Sequence, residues 1–231
     1  MKQLIFIFFA FLLLSCNQEN PNQLVLSGTI DGLKQGVITI KKIDDTSFVA
    51  IDSIVFNGKS EFETIIDLKN PEVLYVFLDR GQTQSIDNSL MFFAEPGKMT
   101  FNSTLEKFYA DAKFTGSKHH EVYEEYLKMR RKFNEKNMDF LNYELKAKDK
   151  NINFDSINQL KINNDKRRTL YTLNFAKNHK DSHVAPFIVI SDVKETKLEF
   201  LKEVYNALNP KIKKGKYGFE LKKIIDENEK Q

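Results

Sequence analysis

Up to about Gly116 the apolar residues of this chain alternate or run in short blocks; beyond it they recur every third or fourth position. Alternation is the period of a strand and a spacing near 3.6 is the period of a helix, so this change decides the architecture. Before it lie Leu24–Ile30 with an Asp31-Gly32 turn, Gly36–Lys41, Phe48–Phe56, and Glu61–Ile65. Asn57-Gly58, between the last two, is a strong hairpin signal. Val73–Leu78 and Leu90–Phe93 are unbroken apolar runs, which strands show when both faces are covered. Met99–Phe101 and Phe108–Phe114 complete the strand set. After the change, Tyr123, Tyr126, Leu127, Arg130, Phe133, Met138 and Leu141 follow a helical spacing, and no Pro or Gly occurs from Ser117 to Ala185. Leu170, Leu173 and Ala176 mark a further helix; Leu198, Leu201, Val204, Tyr205 and Leu208 form an apolar stripe that Pro210 ends, and Leu221, Ile224 and Ile225 begin a last helix. The expected fold class is therefore α+β: an N-terminal antiparallel β-sandwich or partly open barrel, followed by an α-helical lobe.

The N-terminus carries an address. Met1-Lys2 precedes an eleven-residue apolar run, Leu4–Leu14, too short to span a bilayer at about 20 residues but right for a signal-peptide core of about 7–15. The run ends in Leu13-Leu14-Ser15-Cys16, which resembles the bacterial lipoprotein signal, and Cys16 is the single cysteine of the chain. The resemblance implies cleavage before Cys16 and lipidation of its thiol. Stable anchoring takes more than one acyl chain, which the mature form of such lipoproteins carries. Asn17, in place of the Asp that retains enteric lipoproteins at the inner membrane, favours the outer membrane.

Composition narrows the function classes. Charged residues make up 29% and hydrophobic ones 41%, an ordinary globular balance that argues against disorder and against a multi-span membrane protein. The net charge is +3, and Arg80, Arg130, Arg131, Arg167 and Arg168 are the only arginines, so no nucleic-acid partner is expected. One cysteine excludes an intramolecular disulfide, a Cys-x-x-Cys pair and a cysteine-rich zinc site.

Leu24-x-Leu26-Ser27-Gly28-Thr29-Ile30-x-Gly32, Val37-x-Thr39-Ile40, Asp52-Ser53-x-Val55 and Asn57-Gly58-Lys59-x-Glu61-Phe62 together resemble a known module. It is the domain of unknown function that precedes the thioredoxin fold in lipid-anchored TlpA-like thiol-disulfide oxidoreductases of Bacteroidota. Phe114-Thr115-Gly116-Ser117 fits the module's boundary. Asn178-His179-Lys180-Asp181-Ser182-x-Val184-Ala185 resembles the helical linker of those proteins, with His179 where proline is usual, and Leu198–Leu208 with Gly218-x-x-Leu221 resembles the helices leading into their thioredoxin part. No thioredoxin domain with its cysteine pair follows in these 231 residues, so the resemblance carries no redox residue over.

Several clusters invite chemistry. Gly116-Ser117-Lys118-His119-His120 places a serine beside histidines, but lacks the strand–turn–helix context of a nucleophile elbow, and Ser117 stands where a helix N-cap is needed. Asp149-x-Asn151-x-Asn153-x-Asp155 opens like a calcium loop, yet Phe154 and Leu160 occupy the positions that need Gly and Glu. An interhelical loop with Asp155 capping the next helix is the plainer reading. His179 and His183 stand four apart like a zinc pair, but Asp181-Ser182 between them reads as a helix end and restart that parts the rings. Glu124-Glu125, Asp44-Asp45 and Asp226-Glu227 are adjacent carboxylates that on a helix do not face each other. Lys211, Lys213, Lys214 and Lys216 form the densest basic run, read as a solvated connection after Pro210.

The expected organisation is a signal peptide over residues 1–15, a lipidated linker over 16–23, a β-rich domain over 24–116 and a helical lobe over 117–231. No catalytic, cofactor or metal residue is expected; Cys16 is the one assigned site. The expected role is a non-catalytic lipoprotein of the bacterial envelope, anchored through Cys16 to the outer membrane, facing the periplasm, and binding a protein partner. The alternative is a small-ligand receptor or enzyme using the concave face of the β-rich domain. Mass spectrometry of the N-terminal peptide from the native membrane should find an acylated Cys16; a free thiol or another start would remove the anchor.

Overall fold

The computed structural model describes residues 20–79, 88–147 and 154–230. The expected signal peptide with Cys16, Arg80, and Asp149 to Asn153 of the calcium-like stretch lie outside the described residues. Among the described residues eight strands come first: β1 (Gln23–Asp31), β2 (Gln35–Asp44), β3 (Ser47–Asn57), β4 (Glu61–Asp67), β5 (Glu72–Asp79), β6 (Ser89–Ala94), β7 (Gly97–Thr104) and β8 (Lys113–Thr115). Helices α1 (Lys118–Ala147), α2 (Phe154–Asn178), α3 (Val184–Val193), α4 (Leu198–Ala207), α5 (Pro210–Lys213) and α6 (Lys216–Asn228) follow. The α+β arrangement is as the period change implies.

The strands form two four-stranded sheets, β4-β1-β7-β8 and β3-β2-β5-β6, packed as a sandwich with no closed barrel. Their inner faces share one core that includes Leu24, Leu26, Ile38, Ile40, Leu74, Val76, Phe92 and Phe101. The first sheet is mixed, not wholly antiparallel, because β1 runs parallel to β7. Gly28 makes that pairing close: a Cβ there would sit 1.8 Å from the Phe101 carbonyl oxygen.

Asn57-Gly58 is a turn, with Gly58 at φ +86°, but it joins strands of different sheets and makes no hairpin. β3 pairs with β2 and β4 with β1, so the chain crosses the sandwich there. The hairpin turn lies earlier, at Asp45-Thr46 between β2 and β3, where Asp45 takes φ 53°. Phe108–Phe114 is mostly not a strand either. Only Lys113–Thr115 pairs with β7, while the preceding turn is held by Ser103 Oγ donating to the Phe108 carbonyl at 2.7 Å, which buries Phe108 against Phe101.

The unbroken apolar runs of β5 and β6 serve two cores. Leu74, Val76, Leu78 and Phe92 point into the sandwich, whereas Val73 and Phe93 belong to a second core with Tyr123, Tyr126, Leu173, Val184, Ile188, Leu201, Val204 and Leu221. The helical lobe thus packs on the outer face of β5 and β6. It also reaches their backbone: the Val73 N–H donates to Tyr217 Oη at 2.9 Å, and the Phe93 N–H to His120 Nδ1 at 3.2 Å. Within the lobe, Asp192 of α3 accepts from Tyr126 Oη at 2.6 Å and from Arg130 Nε at 3.1 Å, tying α3 to α1.

Met138 and Leu141 depart from the expected stripe, since both are exposed. Beyond Phe133, α1 leaves the lobe core and pairs only with α2, through Asn164 to the Phe133 carbonyl and to Asn137, and through Lys161 to Glu144. Leu170 of α2 is likewise exposed, with Leu173 and Ala176 carrying the burial. Pro210 ends the stripe of α4 and occupies the first turn of α5, whose cap Asn209 accepts the Lys211 N–H at 3.0 Å. Among the described residues, no helix is long and apolar enough to cross a membrane.

Phe93 is fully buried between the lobes, with ring contacts to His119, Tyr123, Phe187 and Tyr217. Phe93→Ala should lower unfolding free energy by about 3–5 kcal/mol, read by urea titration. A loss under about 1 kcal/mol would show that the junction does not hold the lobes together.

Candidate functional site

Turns of the β lobe and helix starts of the α lobe meet in a cleft of about 540 Å³. Its walls are Pro21, Lys69, Asn70, Pro71, Glu95 and Pro96 on one side and His119, His183, Lys211, Lys214 and Gly215 on the other. Glu95, in the β6–β7 turn, caps α1: its carboxylate accepts the Lys118 and His119 backbone N–H groups at 3.3 and 3.4 Å. Ser117 Oγ accepts the His120 N–H at 3.0 Å, the N-cap geometry that the sequence context suggests.

His119 is held between three neighbours. Its Nδ1 lies 3.0 Å from Ser182 Oγ, its Nε2 3.6 Å from Glu95, and its ring meets that of His183 edge-on at 5.2 Å. A serine, an imidazole and a carboxylate are therefore in series, although the serine is Ser182 and not Ser117. Ser182 Oγ also accepts the Val184 N–H at 3.2 Å, and Ser182 is buried and absent from the cleft wall. That hydroxyl starts a helix.

His183 has the most constrained ring. It is 3% exposed, its Nδ1 has no hydrogen-bond partner, and it lies against Gly215, where a Cβ would approach Cε1 to 2.4 Å and Nδ1 to 2.6 Å. Burial, then the neighbouring His119 and the Lys211 ammonium, push its pKa down to about 4. His119 is pushed down by burial as well, against the opposing pull of Glu95 and with help from Lys211. Burial also lowers His120, whose Nε2 approaches Glu124 at 3.6 Å.

His179 goes elsewhere. Its ring stacks on Phe175 at 4.0 Å, its Nδ1 meets the Phe175 carbonyl, and its Nε2 faces Glu125 at 3.6 Å. The end of α2 at Asn178 and the start of α3 at Val184 part it from His183, as the Asp181-Ser182 break suggests. Among the described residues, no group of three or more His, Cys, Asp or Glu is gathered as for a metal ion. Glu124 and Glu125 turn to different histidines, and Asp226 and Glu227 pair with Lys222 and Lys223 one turn back.

The basic run is solvated as read, with Lys211, Lys214 and Lys216 exposed, but its first part is the short helix α5 and its side chains have distinct surroundings. Lys213 lies over the Tyr205 ring and donates to the Asn206 carbonyl, and Lys216 pairs with Glu72 of β5. Lys211 and Lys214 line the cleft. Lys69, Asn70 and Glu95 were not singled out by sequence, and they arrive from turns remote from the helices along the chain.

The family model for a domain of unknown function, DUF4369, matches residues 24–123. This agrees with a domain of unknown function over the β-rich half, and the match extends into the first turns of α1. Transthyretin from Sparus aurata is 17% identical, covering 42% of this chain and 96% of its own, with a TM-score of 0.29. The CBM25-1 of beta/alpha-amylase from Paenibacillus polymyxa is 13% identical, covering 42% of this chain and 92% of its own, with a TM-score of 0.27. Neither likeness bears on what this chain does. No curated protein matches the sequence.

The His183 environment sets a pH dependence. Folded, the ring stays neutral down to about 4, whereas unfolded it takes a proton near 6.5, so between these values the unfolded chain binds more protons. Stability should be flat in this term above about pH 6.5 and fall by up to about 3 kcal/mol toward pH 4. Urea titrations across that range, with the His183 imidazole followed by NMR, check it; an imidazole midpoint near 6.5 would refute it.

Proposed function

We propose that this chain is a non-catalytic accessory lipoprotein of the bacterial envelope. It is held at the outer membrane, facing the periplasm, through a lipidated Cys16, and it docks a protein partner of the thioredoxin-like class. The observation that carries this reading is the α1–α2 hairpin. Its distal arms pack on each other and leave Met138, Leu141, Tyr143 and Leu145 of α1 and Leu160 and Ile162 of α2 exposed. α1 has 30 residues, about 45 Å of helix at 1.5 Å per residue, so these side chains stand well clear of the lobe core. Six exposed apolar side chains on the two helices of one hairpin suit a protein-binding surface.

The resemblance of residues 24–62 and 178–221 to the segments preceding a thioredoxin domain supports the class of partner. Thiol–disulfide exchange needs an attacking thiolate and a resolving sulfur. These 231 residues hold only Cys16, so neither sulfur of such a pair lies within them, and the reading places the pair on the docked protein. The serine–histidine–carboxylate series supports no hydrolytic alternative, because Ser182 is occupied as a helix cap and does not open on the cleft.

A photo-crosslinking residue placed at Met138 or Tyr143 in intact cells should capture one principal protein bearing a Cys-x-x-Cys pair. The same residue at Lys223, on α6, should not. No adduct at the hairpin beyond that at Lys223, or a captured protein without a cysteine pair, would overturn the reading.

A further inference from the structure

The junction cleft carries an uncompensated positive charge. Among the described residues no carboxylate lies within ion-pairing distance of Lys69, Lys211 or Lys214, which all line it. Among the described residues, the one carboxylate in the wall, Glu95, faces the backbone N–H groups of α1 and His119. With the histidines neutral, the described residues of the lining hold an excess of two positive charges. Lys211 is near enough to both His119 and His183 to disfavour their protonated forms.

Two further features converge there. α6, 13 residues long, starts from Gly215, which lines the cleft and offers no side-chain acceptor to the first-turn N–H groups. A helix start of that kind presents about half a positive charge and donors suited to an oxyanion. His183, 97% buried and also in the wall, has an unpartnered Nδ1. A buried polar atom left unpaired costs about 1–3 kcal/mol, and the Nδ1 of His183 is such an atom, held against Gly215 in the same wall.

We propose that this cleft binds the phosphate group of a phosphate monoester. A phosphomonoester carries about −1.5 to −2 charges on three terminal oxygens at neutral pH, which matches the excess in the wall. Lysine ammonium groups and a helix N-terminus are the donors for it. The cleft's 540 Å³ exceeds what a bare phosphate fills, and Pro21, Pro71 and Pro96 supply apolar wall for an organic remainder. The ester is either a soluble metabolite or a lipid headgroup. Pro21 follows Cys16 by five residues, at most about 18 Å of extended chain, so an anchored Cys16 would keep the cleft beside the headgroups. Only the lipid source rests on the anchor; the phosphate site does not rest on the docking role.

The test titrates the full chain in nonionic detergent by calorimetry with glycerol 3-phosphate, with glycerol, and with micelles doped with phosphatidic acid or phosphatidylcholine. Saturable heat with glycerol 3-phosphate and none with glycerol assigns a soluble ester. Saturation with phosphatidic acid alone, and not with phosphatidylcholine, assigns a headgroup. In either case Lys211→Met and Lys214→Met should each weaken binding at least tenfold and Lys223→Met should leave it unchanged. The imidazole signals of His119 and His183 should shift while that of His179 stays. No saturation in any arm, or equal binding by the three lysine variants, would overturn the proposal; matched unfolding midpoints of the variants exclude misfolding as the cause.

Discussion

A strand that is apolar on both faces has no stable place on a surface, and β5 and β6 are such strands. Fully burying an aliphatic or aromatic side chain is worth about 1.5–3 kcal/mol relative to leaving it exposed. Val73, Tyr75, Met91 and Phe93 present four such side chains away from the sandwich core, and the helices cover them. The sandwich and the helical lobe are therefore complementary halves. His120 and Tyr217 bind backbone N–H groups of the same two strands, so polar as well as apolar groups at the junction are satisfied from the helical side. Covering β6, an edge strand of its sheet, also removes a site at which another chain could pair.

Much of this was legible because burial writes itself into periodicity. The double-sided runs 73–78 and 90–93 announced coverage on both faces, and the stripe Leu201, Val204 and Leu208 announced a packed helix. What failed were inferences from local turn chemistry to tertiary pairing. Asn57-Gly58 has the backbone of a turn, but no local signal tells whether the strand after a turn returns to its neighbour or crosses to the opposite sheet. The parallel β1–β7 pairing is equally silent, since it joins segments more than 70 residues apart and leaves only Gly28 as a trace. Met138 and Leu141 kept a helical spacing beyond the point where the lobe core ends, because periodicity reports a face and not what covers it.

The cleft was the least legible feature for a related reason. Its residues come from the segment before β1, the β4–β5 and β6–β7 turns, the starts of α1 and α3, and the connection between α5 and α6. No window along the chain contains more than a few of them. Gly116-Ser117-Lys118-His119-His120 reads as a helix N-cap and not as a nucleophile site, and the fold agrees while sending its histidines to different places. Ser117 caps, His120 binds the β6 backbone, and only His119 reaches the cleft, where it meets Ser182 and His183 from the other side of the lobe. The lysine run was visible as charge, but its division between ion pair, aromatic contact and cleft needed the turn from α5 into α6.

Holding a buried neutral imidazole at the junction costs stability. Lys69, Lys211 and Lys214 stay exposed at the cleft, whereas the His183 ring is held neutral at the expense of its ordinary affinity for protons. A protein gains nothing in stability from such an arrangement, which is why charge left uncompensated in a cleft points to binding. The division of the wall sharpens the argument. Lys69 belongs to the β lobe, whereas Lys211, Lys214, His183 and Gly215 belong to the helices, so an anion among them contacts both halves at once. Such a ligand has full affinity only for the assembled pair and stabilises it by RT ln(1 + [L]/Kd), about 2.7 kcal/mol at a hundredfold excess over Kd. The junction that buries Phe93 is then also the junction that occupancy would tighten, and binding and lobe association are one linked equilibrium.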